Sequence, residues 1–293
     1  GLMGMTYYVD SVFMILVVDL GQPLRFWHPL VMWNPHSVMF EITWCVILYS
    51  TVLALEFAPV VLEKFHLTAP IKILRAVSMP VVIAGVILST LHQSSFGSLY
   101  LIVPGRLHPL WYSPILPVLF FISCVAAGLS MVVFETFILS RSRPEGPPME
   151  LLADIGKVVA VVLAVYGTVR IQDLVNRGAL PLAFTFGYQS IMFLSEFLAG
   201  VVLPGVLLMF RRVRESRDGL FFVCIVVVMG FMANRMNTVV TGMESWPGAI
   251  YIPSWQEVLI GLGIATFGFV AFALVARHFR VLEPHGGGRP GDR

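Results

Sequence analysis

Charge is scarce in this sequence. Asp, Glu, Lys and Arg make up 12% of the 293 residues against 57% hydrophobic ones, and the mean hydropathy is +0.85, which leaves too little polar surface to cover a water-soluble particle of this length. The solvent that fits is lipid. Also missing are alternating segments of about ten residues, the mark of a membrane barrel; the apolar runs are about 20 residues long and can satisfy their backbone groups internally as helices. The fold class is therefore an all-α integral membrane protein, a polytopic bundle of about eight transmembrane helices.

Cysteine is nearly absent as well. Cys45, Cys124 and Cys224 lie far apart inside apolar runs, which excludes the clustered spacing of iron–sulfur or zinc sites and leaves them as small packing residues. The net charge of +2 is too slight to argue for a nucleic-acid partner. No charged segment precedes the first apolar run and the first residue is Gly1, so the chain reads as processed or truncated at its N-terminus.

The apolar runs fall at residues of about 3–19, 38–62, 73–92, 112–139, 152–173, 186–209, 219–242 and 256–276. Trp27, Trp33, Trp111, Tyr112, Trp246, Tyr251 and Trp255 gather at span ends on alternate loops, where amphipathic rings sit at a headgroup layer. The intervening loops and the C-terminal tail hold Lys64, Lys72, Arg75, Arg141, Arg143, Arg211, Arg212, Arg214, Arg217, Arg277 and Arg280, which makes that side cytoplasmic by the positive-inside rule. The expected location is a bacterial inner membrane with a cytoplasmic C-terminus. Residues 1–282 form one transmembrane bundle on this reading, and residues 283–293, rich in Gly and Pro, form a disordered tail.

A charge at membrane depth costs about 2.5 to 3.5 kcal/mol on insertion scales, so each one should be paired, wet or functional. Asp19, Glu41, His92, Gln93, Arg170, Asp173, Asn234, Arg235 and Glu257 all fall within about three turns of the outer surface, and Glu196 lies roughly 15 Å below the outer end of its helix. They outline a polar pocket that opens outward. A thinner set, Glu56, Glu135, Asp154 and Lys157, occupies the cytoplasmic half, and protons could pass between the two sets. The plainer reading of Asp154 and Lys157 is an i,i+3 interfacial ion pair with Lys157 snorkelling outward. Glu41 with Arg170 or Arg235 stands open between a structural clamp and a functional group.

Two other classes need weighing. A di-haem cytochrome b needs paired histidines at matching depths, whereas His92 alone falls inside an expected span, leaving at most a shallow outer site. A membrane transporter would place its site near the midplane at broken helices, and Pro80, Pro117 and Pro204 interrupt spans. The polar groups lie toward one face instead, which favours a ligand entering from the outer leaflet or an outer docking partner.

Three stretches carry a resemblance: DLGQPLRFWHPLVMWNPHSVMFE at 19–41, TLHQSSFGSLYLI at 90–102 and WYSPILPVLFF at 111–121. They resemble the NrfD/polysulfide reductase membrane-subunit family, nearest its HybB-like branch found with nickel–iron hydrogenases. The resemblance implies a haem-free quinone-reactive anchor that holds no iron–sulfur cluster of its own. It implies electron exchange between menaquinone and a periplasmic four-cluster iron–sulfur subunit, itself served by a nickel–iron hydrogenase or a molybdopterin enzyme. A hydroquinone needs hydrogen-bond partners and proton acceptors at its two oxygens. On this basis His92, Gln93, Asp19, Asp173, Arg170 and Arg235 are the expected quinone-binding residues, with His92 foremost. Glu41, Glu196, Glu135, Glu56, Asp154 and Lys157 mark an expected proton pathway. Family members carry a further helix before the first span seen here, and part of the pocket would come from it.

Overall fold

The computed structural model describes residues 22–102, 105–140, 148–243 and 254–278. Every long regular element among them is a helix: α1 (Val38–Lys64), the short α2 (Thr68–Ala76), α3 (Ser78–Leu101), α4 (Leu116–Ser140), α5 (Met149–Asn176), α6 (Tyr188–Met209), α7 (Arg217–Val239) and α8 (Trp255–His278). Six of them, α1 and α3 to α7, are long and apolar enough to cross a membrane. At 1.5 Å per residue even the 22 residues of α6 reach about 33 Å, the thickness of a hydrocarbon core. The expected first span, residues 3–19, lies outside the described residues, and the expected last one coincides with the 24-residue α8.

The third expected span begins later than its hydropathy suggests. Residues 68–76 form α2, an amphipathic helix that buries Ile71 and carries Lys72 and Arg75, and the chain breaks at Val77 before α3 starts. The membrane helix therefore runs from Ser78 to Leu101 and takes in the whole HQSSFGSLY stretch. Pro80 and Pro117 do not interrupt spans either. Each stands in the first turn of its helix, where the missing N–H has no intrahelical partner to lose.

The chain divides into two compact units, Gly1–His92 with Ile252–Arg293, and Gln93–Tyr251. In the first, Arg75 Nη2 donates to Glu63 Oε1 at 2.8 Å and ties α2 to α1. α3 comes close to α1 at Gly85, where an added Cβ would stand 3.2 Å from Val52 Cγ1 and 3.5 Å from Glu56 Oε1.

In the second unit α4, α5, α6 and α7 pack around a stripe repeating at helical spacing: Leu119, Ala126 and Val133 on α4, Leu152, Val159 and Leu163 on α5, Val201 and Leu208 on α6, and Leu220, Val223, Cys224 and Val227 on α7. Many large apolar side chains point the other way and are exposed, among them Val158, Val161, Leu203 and Met229. A bundle whose outer face is oily as well as its core is built for lipid contact. α6 carries a π turn at Leu198–Val202, in which Leu203 N–H bonds Leu198 O five residues back. Beside it α6 and α7 touch backbone to backbone: a Cβ on Gly200 would stand 2.6 Å from Gly230 Cα, so only glycine fits.

Candidate functional site

The residues between α3 and α4 read as an outer loop with interfacial aromatics, and the second unit places them otherwise. Leu107, Leu110, Trp111 and Ser113 are buried, Trp111 completely. The segment turns inward after Gly105, whose φ of +82° lies in the region open to glycine, and His108 N–H then bonds Gly242 O at 2.7 Å just beyond α7. Trp111 is thereby a buried hydrogen-bond donor rather than a headgroup anchor. Trp27, Trp33 and Trp255 are exposed, as interfacial rings are.

Under this inward segment sits Glu196, buried on α6 about 12 Å from the helix start at 1.5 Å per residue. Its Oε1 accepts from Trp111 Nε1 at 3.0 Å and from Asn234 Nδ2 at 2.9 Å, and its Oε2 accepts from Asn237 Nδ2 at 2.6 Å. Thr241 Oγ1 in turn donates to Asn237 Oδ1 at 3.0 Å, which fixes that amide's orientation. Three donors converge on one carboxyl group, the arrangement that holds a carboxylate acceptor in place out of water.

Two guanidinium groups border this cluster. Arg170 on α5, buried, donates through Nη2 to Leu110 O at 2.6 Å and lies 5.6 Å from the Phe193 ring centroid. Arg235 on α7 donates to Ser123 Oγ at 2.7 Å, to Phe120 O at 3.3 Å and to Asn234 Oδ1 at 3.3 Å, with its guanidinium 3.5 Å from the Phe120 ring centroid. Its three hydrogen-bond acceptors among the described residues are all neutral. Tyr166, buried beside Phe231, lies within electrostatic reach of Arg170, Glu196 and Arg235.

Asp173 is already engaged at both oxygens: Oδ1 accepts from Ser113 Oγ at 2.9 Å, and Oδ2 takes Arg177 Nη2 at 2.7 Å and Nε at 3.0 Å. Arg177 Nη1 also reaches Pro109 O at 2.8 Å, so this pair fastens the inward segment to α5. His92 is buried and Gln93 half-buried, neighbours on α3. Glu41 stands exposed in the first turn of α1, and Glu56 and Glu135 are half-buried in α1 and α4. Asp154 and Lys157 form the expected surface pair at 2.7 Å, both well exposed. Asp19 lies outside the described residues, as does the side chain of Glu257.

Of the expected polar residues in the second unit, Glu196, Asn234, Arg235 and Arg170 are brought together, with Asp173 close in sequence to Arg170 on the same helix. Trp111, Asn237, Tyr166 and Ser123 were not anticipated. For Asn237 a signal existed: Asn234 and Asn237 are spaced i,i+3 beside Arg235, so two amides share one face of a membrane helix. Tyr166 and Ser123 are neutral and invisible to a search for buried charge.

Residues 5–245 match the model of the family described as polysulphide reductase, NrfD. The chain belongs to the NrfD family. Among its relatives, a protein of Nitratidesulfovibrio vulgaris (strain Hildenborough) is 36% identical over 96% of this chain and 75% of the relative. The probable Ni/Fe-hydrogenase 2 b-type cytochrome subunit of Escherichia coli (strain K12) is 30% identical, over 92% of this chain and 70% of that one. The integral membrane subunit of menaquinone reductase from Nitratidesulfovibrio vulgaris is 27% identical, again over 92% of this chain and 70% of that one. As an NrfD-family chain with helices fit to cross the bilayer, this is a multi-pass membrane subunit related to those of hydrogenase and menaquinone reductase complexes.

Proposed function

We propose that this NrfD-family chain is the quinone-reactive subunit of a multi-subunit oxidoreductase, exchanging electrons between menaquinone and an iron–sulfur subunit docked on its periplasmic face. The observation that carries the reading is Arg235, a cation within a membrane span whose hydrogen-bond shell is made of neutral oxygens. Reduction of a quinone adds two electrons and two protons, and negative charge develops on its oxygens before the protons arrive. A guanidinium without a carboxylate in its hydrogen-bond shell is the group best placed to stabilise that charge. We assign the remaining contacts to Gln93, its neighbour His92, Arg170, Asp173 and Asp19. Glu196 would serve as a proton-holding carboxylate, with Glu41, Glu135 and Glu56 as further stations.

The hydrogenase relative's description includes a b-type cytochrome, which raises haem as a cofactor. The donor set does not fit a bis-histidine haem: among the described residues His92 is the single histidine within a candidate span. The haem-free reading therefore stands as part of the proposal. The partners are read from the same family, as a catalytic subunit of hydrogenase or molybdopterin type behind the iron–sulfur subunit. The excess of Arg and Lys on alternate loops supports an inner-membrane placement with the C-terminus in the cytoplasm.

The test is a variant series in the purified complex, with co-purifying chains and extracted quinone identified by mass spectrometry. His92→Ala and Arg235→Gln should each lower quinone-linked turnover by about tenfold or more, equivalent to about 1.4 kcal/mol or more of lost transition-state stabilisation. Turnover of the catalytic partner with an artificial dye should stay unchanged. Normal quinone turnover in both variants, or a chain that purifies alone without quinone, would overturn the reading.

A further inference from the structure

Far from Glu196 along the second unit, the start of α5, the end of α6 and the one-turn helix Arg211–Glu215 enclose a cleft of about 660 Å³. Its lining is unusual for the rim of a membrane bundle: three carboxylates, Glu150, Asp154 and Glu215, and three cations, Lys157, Arg211 and Arg214. Among these described lining residues the charges sum to zero, and both signs face one space. Some donors are committed. Lys157 Nζ holds Asp154 at 2.7 Å, Arg211 Nε holds Glu215 at 2.5 Å, and Arg214 Nη1 caps the last carbonyls of α6 at Leu208 and Met209. Among the described residues these bonds leave both terminal nitrogens of Arg211, the Nη2 of Arg214 and two hydrogens of Lys157 for an anion. Glu150, exposed in the first turn of α5, has no ion partner among the described residues.

The cleft stands where three spans end on one membrane face, since α5 begins at Met149, α6 ends at Met209 and α7 begins at Arg217. From it an exposed apolar track descends along one face of α5 through Leu151, Val158, Val161 and Val165, at i, i+7, i+10 and i+14. Exposed Leu203, Val206 and Met209 continue the apolar surface on α6. A ligand that matches all of this carries a phosphate, an ammonium group and acyl chains.

We propose that this cleft binds the headgroup of a zwitterionic aminophospholipid, a phosphatidylethanolamine, with the phosphate on Arg211, Arg214 and Lys157 and the ammonium on Glu150. Interhelical pockets with basic side chains near the cytoplasmic face are suited to lipid phosphates, and charge-assisted hydrogen bonds from guanidinium to phosphate are among the strong ones. The three carboxylates set the choice among lipids: they oppose a purely anionic headgroup and favour one with its own cation. The inference is independent of the quinone reading, since it concerns a separate pole of the unit and a different readout.

The experiment embeds the intact complex in nanodiscs of equal phosphatidylethanolamine and phosphatidylglycerol, returns it to mild detergent, and quantifies retained lipid by mass spectrometry. Wild type should retain phosphatidylethanolamine in excess. Glu150→Gln should lower the ratio of the two lipids by roughly fivefold, the equivalent of one surface charge, and Arg211→Gln should lower the retention of both. Addition of soluble phosphoethanolamine distinguishes capture of the headgroup alone, which displaces the lipid, from a site that needs the acyl chains, which does not. Preference for phosphatidylglycerol, or an unchanged ratio in Glu150→Gln with an unchanged melting profile, would overturn the proposal.

Discussion

α5 and its C-cap residue Arg177 carry two ion pairs of the same length and nearly the same spacing, and their surroundings make them different objects. Asp154 and Lys157 meet at 2.7 Å with side chains 67% and 59% exposed. Asp173 and Arg177 meet at 2.7 Å with side chains 6% and 17% exposed. The first pair is solvated and competes with water. The second has lost its water and replaced it with protein: Ser113 on one carboxylate oxygen, and Pro109 O on the guanidinium. A distance alone says little about what a pair contributes, because breaking a buried pair leaves an uncompensated charge while breaking an exposed one leaves a solvated ion.

The comparison breaks most sharply at the buried pair. Asp173→Ala removes the acceptor of Ser113 and of two Arg177 nitrogens and should cost on the order of 2–4 kcal/mol. Because Ser113 and Pro109 belong to the inward segment that carries Trp111, the loss should also let that indole move toward water. Thermal unfolding in detergent and the emission maximum of Trp111, isolated by replacing the other five tryptophans with Phe, read the two effects. A melting point within error of wild type would place this pair in the class of its exposed counterpart.

A smaller effect tests the same segment through pH. Burial holds the His108 imidazole below its ordinary value, and its Nδ1 accepts from Leu110 N–H at 3.2 Å. The folded state therefore prefers the neutral ring, and the unfolded chain takes up the proton first as pH falls. Stability from this residue is fully present above the ordinary histidine value near 6.5 and declines as pH drops below it, with a slope bounded at about 1.4 kcal/mol per pH unit for one proton. Melting curves between pH 7.5 and 5.5 should show that decline in wild type and a shallower one in His108→Gln. Parallel slopes would mean that the segment's pH response arises elsewhere.

How much of this was legible in the sequence follows from which forces are local. The spans of the described residues are written in runs of apolar side chains, and Glu196, Asn234, Arg170 and Arg235 stand out because charge and amide groups are expensive at membrane depth. The role of Trp111 was hidden. An aromatic at a span end satisfies the interface rule equally well whether it faces headgroups or folds inward, and the turn at Gly105 and the bond to Gly242 that decide the matter are long-range. The break at Val77 was missed because Ile73, Leu74 and Ala76, which belong to the end of α2, run on into the apolar stretch of α3. The π turn at Leu198–Val202 has no compositional mark beyond Gly200, which stands where α6 and α7 meet backbone to backbone at Gly230.

The smallest expected effect completes the comparison on α5. Asp154→Asn removes the carboxylate from an exposed i,i+3 pair and leaves Lys157 exposed rather than buried as an uncompensated charge. Exposed pairs of this kind typically contribute about 0.2–1 kcal/mol, with helix-face pairs at the lower end, so the melting point should barely move and the small shift should vanish at high salt as the pair is screened. Asp173→Asn, the matched change nineteen residues along the same helix, should shift the melting point several times more and keep that shift in salt, since screening ions do not reach a buried group. If the two substitutions prove equally mild, burial does not set the worth of these pairs, and the Asp173 to Arg177 link would be a contact that the fold tolerates rather than one that fastens the inward segment over Glu196.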